Sequence, residues 1–136
     1  MHETQGDDIG ILTQTFGIIL GTERYEDCVG FYRDTLGLPV WFEKTGLVCL
    51  RFGDGYLMIE TGGIARPQRK SNSENPTMLR FNVADVPKAA AVLERKGVPV
   101  NVTKYEWGIV GTFMDPDGNA CELKDADDPF FASDKA

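Results

Sequence analysis

The chain has 136 residues and a mass of 15.0 kDa, which suits one domain or two small halves that share a core. The chain has 14 Lys and Arg residues and 21 Asp and Glu residues, which gives a net charge of −7. This charge repels the phosphates of nucleic acids and of anionic membranes, so we expect neither as a binding partner. No apolar run is long enough to span a bilayer, and residues 1–8 lack the pattern of a signal peptide, so we expect a cytoplasmic protein. The three cysteines form no Cys-x-x-Cys pair, and we expect their thiols to be reduced.

The first half of the chain predicts a strand, a helix and three more strands, in that order. Residues 1–8 are acidic and polar, and we expect residues 1–14 to form a mobile lead-in. A strand is predicted over 15–22, and a helix over 25–36 ends before Gly37, a typical C-terminal stop. The apolar stripe of this helix consists of Tyr25, Cys28, Val29, Tyr32 and Leu36. The next three strands are predicted at about 40–44, 47–52 and 56–61.

A polar segment, residues 62–76, separates the two halves and carries the cations Arg66, Arg69 and Lys70. We favour a solvent-exposed connection, because the segment has few apolar residues to bury. The alternative is a lid whose cations attract an anionic ligand.

The same pattern of elements then begins again. A strand is predicted over 78–83, and Asp85 is expected to cap a helix with Pro87 in its first turn, where proline is tolerated. The apolar stripe of this second helix consists of Val86, Ala89, Ala90 and Leu93. Gly97 is its expected stop, and three strands are predicted after it, at about 100–105, 109–114 and 120–124.

The stretch Asp-Pro-Asp-Gly-Asn at 115–119 is dense in turn-forming residues and predicts the turn of a hairpin. In the strand that follows, alternate side chains share a face, so Glu122 points away from Cys121 and Leu123. If Leu123 faces a core, Glu122 is expected to face an open, concave surface.

Corresponding features lie about 60 residues apart, which indicates an internal repeat. The corresponding pairs are Tyr25 and Val86, Gly37 and Gly97, and Glu60 and Glu122. We therefore predict an α+β fold in which two βαβββ modules, 15–61 and 77–124, form one domain over 15–124. The modules are expected to curve into an open, barrel-like cup with the helices outside. The acidic tail, 125–136, contains two phenylalanines that could pack on the body or on a second subunit.

Two motifs carry a resemblance to a known family. They are Phe-Tyr-Arg-Asp-Thr-Leu-Gly-Leu at 31–38 and Asp-Pro-Asp-Gly-Asn-Ala-Cys-Glu-Leu at 115–123. Together with the repeat, they resemble the vicinal oxygen chelate superfamily, which includes glyoxalase I, extradiol dioxygenases and the bleomycin- and fosfomycin-resistance proteins. The resemblance covers 15–124, and it indicates the superfamily rather than any one activity.

For metal-dependent members, the resemblance implies a divalent ion in the cup, with one ligand on the first strand and one on the last strand of each module. The last-strand positions carry Glu60 and Glu122, the expected catalytic residues if the protein is an enzyme. The first-strand positions fall on Gly17 and Met78, which do not suit a hard cation, and the only histidine is His2. We therefore expect no metal and no other cofactor, the alternative being Mg²⁺ or Mn²⁺ held weakly by the two glutamates.

Strand alternation predicts which residues join these carboxylates in the cup. The expected ligand-contacting residues are Arg80, Asn82, Met78, Tyr56, Met58 and Trp107. Arg80 has two interpretations: it pairs with a glutamate and fills the vacated metal site, which we favour, or it clamps a ligand carboxylate while a glutamate acts as general base. Most other aromatic residues on the strands are expected in the core or in dimer contacts.

Three functional hypotheses follow. The first is a small-molecule-binding protein similar to the bleomycin-resistance proteins, for which an acidic chain suits a cationic ligand. The second is a glyoxalase-like lyase, or a dioxygenase-related enzyme, that uses Glu60 and Glu122 with a non-standard metal. The third is a non-catalytic interaction module. The resemblance also implies a homodimer.

Overall fold

The computed structural model of the chain describes residues 10–127. The predictions for His2, for most of the lead-in and for the two phenylalanines of the tail lie outside the described residues. Residues 10–16 run up to the first strand without helix or strand of their own.

The first module forms a four-stranded sheet, sheet A, with the order β1-β4-β3-β2. Its elements are β1 (Gly17–Thr22), α1 (Tyr25–Gly30), β2 (Val40–Lys44), β3 (Leu47–Phe52) and β4 (Gly55–Thr61). Strands β1 and β4 are parallel, and the other neighbours are antiparallel. The first strand begins at Gly17 instead of residue 15, because the Thr15 hydroxyl bonds the Asp54 carbonyl in the β3–β4 turn and does not extend the ladder.

The second module repeats this arrangement as sheet B, with the order β5-β8-β7-β6. Its elements are β5 (Leu79–Val83), α2 (Val86–Arg95), β6 (Asn101–Tyr105), β7 (Gly108–Met114) and β8 (Ala120–Asp125). Strands β5 and β8 are parallel, whereas β7 forms antiparallel pairs with β6 and β8. The α+β fold with two βαβββ modules is confirmed, and so is the hairpin at 115–119.

The first helix differs from its prediction as one continuous helix. α1 ends at Gly30, and residues 31–35 form a π-helical turn in which the Leu36 amide donates to the Phe31 carbonyl at 2.9 Å. The wider turn buries Phe31 as well as Tyr32, although only Tyr32 belongs to the predicted stripe. A stripe drawn at 3.6 residues per turn cannot show this change of pitch.

The second helix matches its prediction. The Asp85 carboxylate accepts a hydrogen bond from the Lys88 amide at 3.0 Å, and Pro87 lies in the first turn. Val86, Ala90 and Leu93 are buried. Gly97, with φ of +88°, lies just beyond the helix as the expected left-handed stop.

One core runs through both modules, because the π-helical turn after α1 contacts the second module. The Tyr32 hydroxyl donates to the Asp115 carboxylate at 2.7 Å, and the ring of Phe31 lies 6.1 Å from that of Phe113. The three cysteines are buried and free, as expected. Burial raises the pKa of Cys121 to about 12 and also raises the pKa of Cys28, so these thiols stay protonated at neutral pH.

The turn at 115–119 holds the modules together. The Asp117 carboxylate accepts hydrogen bonds from the amides of Glu23 and Arg24, at 2.8 and 3.0 Å, directly before α1. The segment 62–76 is exposed, as expected, but it is not a loose connection. Its amides at Arg66 and Lys70 donate to the carbonyls of Asp117 and Gly118, each at 2.9 Å, so the segment lies along the turn.

Candidate functional site

The open face of sheet A carries the predicted residues Tyr56, Met58 and Glu60, which alternate along β4 and are half-buried. The ring of Trp41 lies 5.6 Å from that of Tyr56, and the Arg51 guanidinium lies 4.3 Å from the Trp41 ring. Because Trp41 remains 44% exposed, this cluster presents an aromatic surface to a ligand or to another chain.

Glu122 lies on the corresponding face of sheet B, but it is not open as predicted. Glu122 is only 7% exposed, because β8 lies between β5 and β7 and Arg80 lies opposite Glu122 in the ladder. The Arg80 Nε donates to a Glu122 carboxylate oxygen at 2.5 Å. Sheet B therefore supplies its own cation to the carboxylate.

A second aromatic surface lies beside this ion pair. The rings of Tyr105 and Trp107 are nearly parallel, with centroids 4.7 Å apart, and Trp107 is 43% exposed. The ammonium of Lys124, a residue that is 0% exposed, lies 5.2 Å from the Trp107 ring. We did not predict Lys124 or Tyr105 as site residues, although strand alternation alone puts Lys124 on the face of Glu122.

The two glutamates belong to different sheets. Among residues 10–127, no hydrogen bond or ion pair involves the Glu60 carboxylate, whereas Glu122 is engaged by Arg80. Asn82 lies opposite Lys124 in the ladder, and Met78 lies just before β5, one position short of the strand. The roles of these residues in ligand binding stay predictions.

The side chains present do not fit the divalent ion that the resemblance implies. A Cβ atom at Gly17 would lie 2.1 Å from the Tyr56 ring, so the tyrosine fills the space that a first-strand ligand needs. In register, Glu60 lies opposite Gly21 and Glu122 lies opposite Arg80, so neither has a metal-ligating neighbour on the first strand. Within the described part of the chain, no three His, Cys, Asp or Glu residues come together as a metal site.

Comparison with known families places the chain. The model of the Glyoxalase/Bleomycin resistance protein/Dioxygenase superfamily matches residues 14–123. The chain belongs to this superfamily. The predicted resemblance is thus confirmed, and the match spans both modules and the segment between them.

Several proteins of known sequence or structure are similar to the chain. The uncharacterized protein YraH of Bacillus subtilis strain 168 is 30% identical over an alignment of 112 residues, which covers 73% of this chain and 88% of YraH. The structure of TnmS3, an antibiotic binding protein from Streptomyces sp. CB03234, matches with a TM-score of 0.64 at 22% identity and covers 84% of this chain and 96% of TnmS3. A lactoylglutathione lyase from Agrobacterium tumefaciens matches with a TM-score of 0.65 at 19% identity, over 84% and 94% of the two chains.

A bleomycin resistance determinant encoded on the transposon Tn5 matches with a TM-score of 0.63 at 18% identity, over 85% of this chain and 99% of that chain. At these identities the solved structures show the shared fold alone.

None of the helices between residues 10 and 127 has the length and apolar character to cross a membrane.

Proposed function

We propose that the protein binds a small organic molecule between the open face of sheet A and the Glu122 face of sheet B, without the divalent ion of the superfamily's metal-dependent members. The observation that carries the proposal is the position of Tyr56, whose ring fills the space of a first-strand ligand at Gly17. The pairing of Glu122 with Arg80 supports it, because this carboxylate is already compensated by a cation.

The aromatic surfaces indicate the class of ligand. Trp41 and Trp107 are exposed in spite of their size, and each has a second ring beside it. The Tyr105 and Trp107 rings are stacked, and the Trp41 and Tyr56 rings are tilted. Exposed rings of this kind favour a planar aromatic ligand, since offset-stacked or edge-to-face ring pairs add about 0.5–1.5 kcal/mol beyond burial of apolar area. The net charge of −7 further favours a cationic molecule. TnmS3, which shares the fold, is an antibiotic binding protein, and the Tn5 protein is a bleomycin resistance determinant.

The second candidate is a glyoxalase-like lyase or a dioxygenase-related enzyme that uses Glu60 and Glu122. The observation that favours it is Glu60, a half-buried carboxylate with no hydrogen-bond or ion-pair partner among residues 10–127. Such a carboxylate is available as a general base or as an oxygen ligand for Mg²⁺ or Mn²⁺. The fold of a lactoylglutathione lyase is shared as well. A non-catalytic interaction module is the third candidate.

We further propose a cytoplasmic homodimer. The exposed aromatic rings on the two faces would then be partly covered by a second copy, and a ligand would lie between sheets of different chains. Apolar surface that is exposed on one chain and covered in a dimer is typical of such interfaces.

Tryptophan fluorescence tests the binding proposal directly, because Trp41 and Trp107 are the only two tryptophans. Titration with bleomycin and with a panel of planar aromatic cations is expected to quench the emission saturably and to raise the melting temperature, since a ligand stabilises the folded state it binds. Replacing Tyr56 or Trp107 with alanine should weaken binding about tenfold, the loss expected for one good ring stack.

Ile64→Ala is the matched control, because Ile64 is an exposed apolar residue of segment 62–76 and belongs to neither sheet. This variant should bind as the unchanged protein does. Equal weakening by all three substitutions, or binding that none of them changes, would contradict a ligand held by the aromatic surfaces. A turnover reaction abolished by EDTA would instead support the second candidate.

A further inference from the structure

A large cavity lies along the seam between the two modules, apart from the aromatic surfaces. Its volume is about 880 Å³, which is within the range of about 300–1,000 Å³ that is typical of small-molecule sites. The second module contributes the edge strand β5 and α2 to the wall. The first module contributes β1, the β3–β4 turn and residues 35–38 at the end of the π-helical turn. Its principal apolar residues are Phe16, Ile18, Phe52, Phe81, Val92 and Leu93.

The cavity is distinct from the aromatic surfaces of the proposed ligand site. Of the residues expected to contact a ligand there, Tyr56, Met58 and Trp107 do not line the cavity, whereas Met78, Arg80 and Asn82 do. Phe81 and Leu123, which pair in the ladder, lie on the face of sheet B opposite Glu122 and pack in the core with Leu93 of α2.

Two cations border this apolar space. Arg80 uses only its Nε atom on Glu122, and no hydrogen bond among residues 10–127 involves its two terminal nitrogens. Lys96, at the end of α2, donates to the Thr35 carbonyl at 2.9 Å and keeps further N–H donors available. Asp54 is the one carboxylate among the lining residues. The cavity therefore combines an apolar body with an excess of positive charge at its border.

We propose that this cavity is a second binding site, for an apolar molecule that carries one carboxylate and has the size of a medium-chain fatty acid. The aromatic and aliphatic walls would bury the apolar part, and Arg80 and Lys96 would bind the carboxylate by charge-assisted hydrogen bonds. The proposal does not depend on the proposed function: Arg80 borders both sites, but the aromatic surfaces do not line the cavity, and Val92 of α2 and Lys96 at its end line the cavity alone.

Calorimetric titration with decanoate, below its micelle concentration, tests this site. Decanol and decyltrimethylammonium serve as comparators with the same alkyl chain and a neutral or positive head. Decanoate is expected to bind with one molecule per chain and to raise the melting temperature, and decanol is expected to bind at least about tenfold more weakly. Equal binding of the three molecules, or no binding of decanoate, would overturn the proposal.

Substitutions locate the bound molecule. Lys96→Gln keeps a hydrogen-bond donor for Thr35 but removes the charge, and it should weaken decanoate about tenfold. Val92→Phe puts a larger side chain into the cavity and should abolish binding. Lys88→Gln, which makes the same charge change on the first turn of α2, is the control and should have no effect.

Decanoate binding that survives Val92→Phe but is lost in Trp107→Ala would assign the molecule to the aromatic surfaces and overturn the second site. The melting temperature of each variant without ligand verifies its fold. Failure of this site leaves the tryptophan-quenching result unchanged, so the two proposals fail separately.

Discussion

Replacing Gly118 with alanine is expected to lower the free energy of unfolding by about 3 kcal/mol or more. Gly118 has φ of +88°, a region that costs a residue with a Cβ atom about 1–2 kcal/mol. The added Cβ would also lie 2.6 Å from the Gln68 carbonyl oxygen and 2.9 Å from that of Arg66. Relieving these contacts moves segment 62–76 off the turn and breaks backbone hydrogen bonds, each worth about 1 kcal/mol.

Gly97→Ala is the matched control, because Gly97 has the same φ of +88° but no atom within 4 Å of the added Cβ. It should cost about 1–2 kcal/mol, so that the difference between the two variants measures the contact with segment 62–76. Urea unfolding at equilibrium gives both values. Equal losses would mean that the segment does not rest on the turn.

Asp115→Ala is expected to cost about 3–5 kcal/mol, because its carboxylate is buried and accepts four hydrogen bonds. The donors are the Tyr32 hydroxyl at 2.7 Å and the Asp117 amide, the Asn119 amide and the Asn119 side-chain amide, each at 2.9 Å. Alanine leaves all of these donors without their acceptor, and an unsatisfied buried donor loses its full hydration. The same substitution loosens the turn whose Asp117 carboxylate binds the amides of Glu23 and Arg24 just before α1.

Two further variants are expected to lower the free energy of unfolding by less than Asp115→Ala does. Tyr32→Phe removes the hydroxyl, which is one of the four donors, and leaves no donor unsatisfied. It should lower the free energy of unfolding by only about 1 kcal/mol. Asp127→Ala, which changes an exposed carboxylate, should stay within about 0.5 kcal/mol of the unchanged protein. Circular dichroism during urea unfolding provides the measurement. A small loss for Asp115→Ala would show that the turn does not join the two modules.

The fold could be predicted from sequence because its signals are local and periodic. The stripe of α2, the cap at Asp85 and the stop at Gly97 each depend on residues within a few positions of one another. A helical stripe and a glycine stop also occur about 60 residues earlier, at Tyr25 and Gly37, and this recurrence indicates the two-module architecture, as expected for a repeated unit.

The environment of the site could not be predicted to the same extent, because it depends on contacts between segments far apart in the chain. Alternation gave the face of Glu122, but its burial depends on the strands on either side and on Arg80 opposite it. The docking of segment 62–76 on the turn, and the hydrogen bonds of Asp117 to the amides before α1, join residues that no periodic pattern relates. The place of Tyr56 over Gly17 follows from strand pairing and from a rotamer, neither of which has a sequence signature.

Metal binding by the purified protein tests the central claim most directly. Elemental analysis, followed by calorimetric titration with Ni²⁺, Zn²⁺ and Mn²⁺, is expected to find no stoichiometric site that depends on Glu60 or Glu122. EDTA should then leave tryptophan quenching by the aromatic ligand unchanged. One equivalent of a divalent ion per chain that is lost in both Glu60→Gln and Glu122→Gln would contradict the account.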